Sequence, residues 1–310
     1  MLHRSIVTPC AAFLLAAVFS GCGDATTSLA QPWTPVLETT VSHPARMAAF
    51  LDDTFGLTGG FSGAGKAHVT TNGGRTWTIS ESSGGCLFGI DIIDRERVWV
   101  CGRVAGVSFS TPGGIRLSRD GGRSFELSAD ITTKPREAPM NFINESTGWY
   151  FRPDTLFRTL DGGKTWTELP LPETAEEIKA ISILSADEGF IIDEKGRFSH
   201  TPNAGVSWET HALPLDKIGG ARISNMESVT VAVRFFDADT GVVAASLLTN
   251  GAPKAKVIAF RTANGGADWT PELVINGQGT LFLSPDGRYL TFNNAGNITV
   301  LHYSQPASAD

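Results

Sequence analysis

Short apolar runs with alternating polar positions recur along the chain, each bounded by Gly, Pro, Asn, Asp or Ser. Residues 178–215 show one complete unit. An apolar run at 178–184 is followed by a turn at 185–189 and a second run at 190–192. A turn at 193–196 leads into a third run at 197–201, and Trp208 opens a fourth. The same order fits the segments starting at Met47, Cys86, Met140 and Val229. Brief period-two strands between regular turn signals predict an all-β chain. Units of four strands and about 40 residues, repeated in series, predict radial blades rather than one continuous sheet.

The turn before each fourth strand carries the strongest repeat. Residues 70–77, 118–125, 159–166, 201–208 and 262–269 share Ser/Thr-x-Asp/Asn-x-Gly-x-x-aromatic. Their key positions are Asn72 and Trp77, Asp120 and Phe125, Asp161 and Trp166, Asn203 and Trp208, Asn264 and Trp269. Asp or Asn before Gly suits a tight turn with positive φ. The short polar side chains can accept bonds from backbone N–H groups round the bend. Asn stands for Asp in three of the five copies, so a carboxylate is not required and the motif reads as turn-making. It is the pattern of the Asp-box of sialidase-type β-propellers.

A sixth unit, 280–303, offers three strands and no box. Trp33-Thr34-Pro35-Val36-Leu37 echoes Trp269-Thr270-Pro271-Glu272-Leu273, which opens the fourth strand of the fifth unit. Residues 32–41 are therefore expected to supply the missing strand and close a six-bladed propeller; seven blades is the alternative. Closure would remove exposed sheet edges. The boxes and the first-to-second turns then share one face. Second-to-third turns and blade connections share the other, where two long loops, 103–114 and 246–254, are expected to face each other across a funnel.

Residues 1–22 read as an export leader: His3 and Arg4 precede an apolar core at 11–19, which is too short to span a bilayer. The core ends in Phe19-Ser20-Gly21-Cys22, which resembles a bacterial lipobox and implies a lipidated Cys22. The rival is cleavage after 28–30 and a secreted protein. Residues 23–31 form a polar tether and 32–310 a single propeller domain, placed in the cell envelope. A net charge of −7 disfavours nucleic acid and anionic lipid as main partners. Beyond Cys10 and Cys22, Cys86 and Cys101 remain, either as a disulfide or as two small buried thiols. The scattered His and Cys show no metal-ligand spacing, and no cofactor motif is present.

The phrase Asn141-Phe142-Ile143-Asn144-Glu145-Ser146-Thr147-Gly148-Trp149, followed by Arg158 and the third box, is similar to the photosystem II stability/assembly factor family. That resemblance spans nearly the whole mature chain. It implies a non-catalytic, lipid-anchored or lumenal propeller that binds a protein partner. Photosynthetic members carry an arginine-rich patch; here Arg119 and Arg123 belong to a box, so photosystem binding is not carried over. The rival is a sialidase-type glycosidase or a glycan binder, but its Arg-Ile-Pro motif is missing from this sequence. Tyr303 shares a strand face with Leu301 and Thr299, as an ordinary strand residue would. The expected partner-contact residues are Arg103, Phe109, Arg136, Arg152 and Lys254, on the long loops and their neighbours.

Overall fold

Six antiparallel sheets form a closed ring in the computed structural model. The structure describes residues 32–43, 45–60, 66–103, 113–131, 140–218, 220–224, 229–248 and 255–304. The inner strands of the blades are, in order, Met47–Phe50, Gly85–Ile92, Met140–Phe142, Ile178–Ile183, Val231–Phe235 and Thr280–Leu283. Residues of all six line one narrow central channel of about 60 Å³.

The sixth sheet takes its outer strand from the start of the described chain. Trp33–Thr40 pairs antiparallel with Asn297–Tyr303, Trp33 opposite Tyr303 and Thr40 opposite Asn297. Trp33 is buried, packs on the Tyr303 ring at 5.3 Å, and donates through Nε1 to Glu272 of blade 5 at 3.3 Å. Blade 5 differs from the rest: its long second strand, Thr240–Leu248, is paired by the inner strand and also by the short strand Arg222–Ile223.

The hydrophobic core is not one body but six wedges, one between each pair of neighbouring blades. Blades 1 and 2 meet through Leu57, Leu87 and Val100; blades 2 and 3 through Trp99, Leu117 and Phe142. Trp149 and Ile183 join blades 3 and 4, and Phe190, Phe198 and Phe235 join blades 4 and 5. Val242 and Leu283 join 5 and 6, while Phe50 and Val300 seal 6 against 1. Strand alternation explains this: successive side chains point to opposite faces of a radial sheet, so each blade feeds two wedges.

Candidate functional site

The boxes are joints. In the first, the Thr70 hydroxyl donates to Asn72 Oδ1 at 3.0 Å and accepts from the Gly74 N–H at 2.9 Å. The Thr76 N–H donates to the same Oδ1 at 3.0 Å. Equivalent bonds recur around Asp120, Asp161, Asn203 and Asn264. A further bond ties each box to the first turn of its own blade: Gly73 N–H to Thr54 O, Gly121 to Glu96, Gly162 to Ser146, Ala204 to Asp187 and Gly265 to Asp239. Gly162 has φ +73°, and a Cβ there would lie 2.7 Å from the Glu145 carbonyl oxygen, so a side chain is strained at this position, although Ala204 holds it in the fourth box at φ +54°. Hydrogen bonds from the Thr165 hydroxyl and N–H hold the Asp161 carboxyl below the ordinary range, an anion fixed in a turn. Of the closing aromatics, Phe125 and Trp269 are buried, and Trp77, Trp166 and Trp208 are half-buried.

A second recurrent motif escaped the sequence reading. The penultimate residue of four inner strands is polar: Asp91, Asn141, Ser182 and Arg234. Each reaches the next blade. Asp91 Oδ2 accepts the Phe142 N–H at 2.6 Å, Asn141 Oδ1 the Ile183 N–H at 2.9 Å, and Ser182 Oγ the Phe235 N–H at 3.0 Å. Arg234 Nε donates to Leu283 O at 3.2 Å. The visible signal was a repeated polar–apolar–apolar–polar string: Asp91-Ile92-Ile93-Asp94, Asn141-Phe142-Ile143-Asn144, Ser182-Ile183-Leu184-Ser185 and Arg234-Phe235-Phe236-Asp237. The closing Asp, Asn or Ser caps the first turn, as when Asn144 Oδ1 accepts the Ser146 and Thr147 N–H groups.

The expected contact residues do not gather on one surface. Arg103 ends the second strand of blade 2 and is only 2% exposed, its guanidinium 5.7 Å from the Phe88 ring. That corrects the expectation of a solvent-facing contact: the strand pairing extends to Arg103, opposite Gly113, and draws the side chain inward. Arg152 is half-buried, 5.1 Å over the Phe157 ring and hydrogen-bonded to Tyr150. Phe109, Arg136 and Lys254 lie outside the described residues, as do Cys22 and most of both long loops. Of the two alternatives for Cys86 and Cys101, a disulfide or buried thiols, the structure describes the thiol state at Cys101. Cys101 is a free thiol, opposite Gly89 in the register, and burial pushes its pKa up to about 12. No group of three or more potential metal ligands occurs among the described residues.

A cleft on the box side between blades 2 and 3 has a volume of about 680 Å³. Its walls are Trp99, Leu117 and Leu127 of blade 2 and the first turn and box of blade 3. Arg119 spans its rim, donating to Glu126 at 2.9 Å and Glu145 at 2.8 Å.

Residues 125–307 match the family model described as photosynthesis system II assembly factor YCF48. The chain belongs to this family. No curated protein matches it significantly in sequence. Among solved structures it is similar to a YCF48 bound to D1 peptide, at 16% identity and TM-score 0.50, covering 88% of this chain and 96% of that one. It is also similar to YCF48 from Cyanidioschyzon merolae, at 14% identity and TM-score 0.49, covering 89% and 99%. The GH74 xyloglucanase from Xanthomonas campestris matches at 12% identity and TM-score 0.50, covering 90% of this chain and 54% of the enzyme. The two likenesses at TM-score 0.50 show the propeller fold, which an assembly factor and a glycosidase share.

Proposed function

We propose that this YCF48-family propeller is a non-catalytic binding and assembly platform for protein, held at a bacterial envelope membrane by lipid on Cys22. The observation that carries the reading is family membership together with a relative captured with a peptide bound. The chemistry of the boxes supports it. Their carboxylates and amides are committed to turns, so the repeated acidic residues are structural rather than catalytic. Glycoside hydrolysis by contrast needs two carboxyl groups at a set separation flanking a substrate.

The test is chemical crosslinking in intact cells, purification of the mature chain, and identification of the attached species. A reproducible protein partner supports the platform. Release of sugar from a panel of glycans by the purified chain would make it an enzyme instead. Metabolic labelling with an alkyne fatty acid, compared between the native chain and Cys22→Ala, tests the anchor. Label that survives the substitution removes Cys22 from the account.

A further inference from the structure

Trp99 and Trp149 occupy the same place in consecutive blades but meet different surroundings. Trp149 Nε1 donates to the Ala186 carbonyl in the first turn of blade 4 at 3.1 Å. Arg158, directly across the ladder from Trp149, donates to the same carbonyl at 3.4 Å and pairs with Asp187, filling the space between blades 3 and 4. One blade earlier, Trp99 stands across the ladder from Leu117 rather than an arginine. The turn residue corresponding to Ala186 is Glu145, and Trp99 Nε1 does not bond to it. The indole is fully buried, its N–H has no hydrogen-bond partner, and the residue lines the 680 Å³ cleft. Trp77 and Trp269 also carry unpartnered indole N–H groups. Neither lines this cleft. A buried donor left unpaired is costly, commonly about 1–3 kcal/mol, and its retention calls for an explanation.

We propose that the cleft between blades 2 and 3 is a peptide-binding site, in which an amide carbonyl of the ligand accepts the Trp99 Nε1 hydrogen. This rests on the platform reading and names its recognition site. The remaining walls identify the ligand. Leu127, exposed among the lining residues, offers apolar contact, which suits a main-chain carbonyl flanked by an apolar side chain. Arg119 is already paired with Glu126 and Glu145, and Arg97 with Asp94, so no strong single-sign field favours a polyanion. A neutral glycan would be better served by an open aromatic face. Here the Trp99 ring is covered by Phe142, stacked at 3.9 Å and 14°. The volume falls within the usual range of ligand pockets, roughly 300–1,000 Å³. Seating the carbonyl requires a side-chain shift in the cleft wall, a change common when interfaces form.

The test selects linear peptides from a phage-displayed library on the mature chain and measures each by fluorescence anisotropy. Three variants are compared with the native chain: Leu127→Asp, Leu117→Arg and Arg152→Ala. Leu127 is 47% exposed, so its replacement leaves the fold intact. Leu117→Arg rebuilds the blade 3 arrangement and plugs the cleft. The proposal expects affinity to fall about tenfold or more in the first two and to hold in Arg152→Ala. Peptides that bind Leu127→Asp and Leu117→Arg like the native chain overturn the cleft; loss with Arg152→Ala alone moves recognition to the opposite face and leaves the platform standing. Failure to enrich any peptide overturns the cleft proposal and leaves the platform to the crosslinking test. Neutral oligosaccharides whose binding is lost in the same cleft variants would overturn the peptide assignment.

Discussion

Arg234 of blade 5 reaches across the central channel to Asp91 of blade 2, with Nη2 2.6 Å from Oδ1. These blades are opposite each other in the ring, so the pair is a strut across the channel as well as a link in the belt. Both side chains are buried, at 11% and 2% exposure. Asp91 also accepts from Asn141 Nδ2 at 3.2 Å and the Phe142 N–H, so one carboxylate joins three blades. Removing one partner strands a buried charge, whereas replacing both with well-packed apolar groups need not destabilise. Arg234→Ala is expected to lower stability by about 3–5 kcal/mol, read from urea denaturation. Arg234→Met with Asp91→Leu is expected to recover part of that loss; recovery stays incomplete because the Phe142 N–H loses its acceptor.

The boxes predict an ordering among substitutions at one position. Asp161→Asn is expected to leave the melting temperature nearly unchanged, because Asn72, Asn203 and Asn264 make the same Oδ1 bond to the backbone four residues on. Asp161→Ala leaves the Thr165 N–H and the Thr159 hydroxyl without that acceptor and is expected to cost about 1–2 kcal/mol. A thermal melt in which Asn and Ala behave alike would show that the box is not held by this oxygen.

Closure of the ring is open to a single side-chain test. Trp33 is 1% exposed, sits among Leu273, Leu281 and Leu301, and bonds Glu272. Trp33→Ala is expected to destabilise the chain by about 3–5 kcal/mol. Hydrogen exchange should then quicken in Asn297–Tyr303, the strand paired with it. Unchanged protection there would mean that the first strand contributes little to the sixth sheet.

Two histidines impose a pH dependence. His43 and His68 stack at 3.7 Å, and His43 Nε2 lies 2.6 Å from the buried Thr58 hydroxyl. Burial, and then the His68 ring, push the His43 pKa down to about 4; burial also lowers that of His68. The unfolded chain takes up these protons near an ordinary value of about 6.5. Between those limits it binds more protons than the folded chain, so stability falls as pH drops from about 6.5 and levels off near 4. Urea midpoints measured across this window should decline, and the decline should flatten in His43→Gln with His68→Gln. An equal slope in that variant would assign the effect to other groups.

How much of this was legible beforehand can be judged from particular residues. The boxes were, since Asn72-Gly73 and Asp161-Gly162 carry their turn chemistry within a few consecutive residues. So was the strand order, because alternation and turn residues act locally. The belt of Asp91, Asn141, Ser182 and Arg234 was present as a repeated string, but its bonds run between blades 42 to 53 residues apart. Arg103 was misjudged because loop length suggested exposure, while the ladder carries the strand through Arg103 itself, where the loop was expected to begin.

The sequence by itself determined the all-β architecture, the repeat and the position of every box, because each depends on φ preferences and short-range hydrogen bonds among neighbours in the chain. Only the tertiary structure decided which polar residues meet across the channel, that Cys101 is a free buried thiol, and that the cleft beside Trp99 stays open while the one beside Trp149 is filled. Those outcomes depend on what a side chain finds on the next blade. A residue such as Leu117 or Arg158 sets the shape of a neighbour's surroundings that no local pattern encodes.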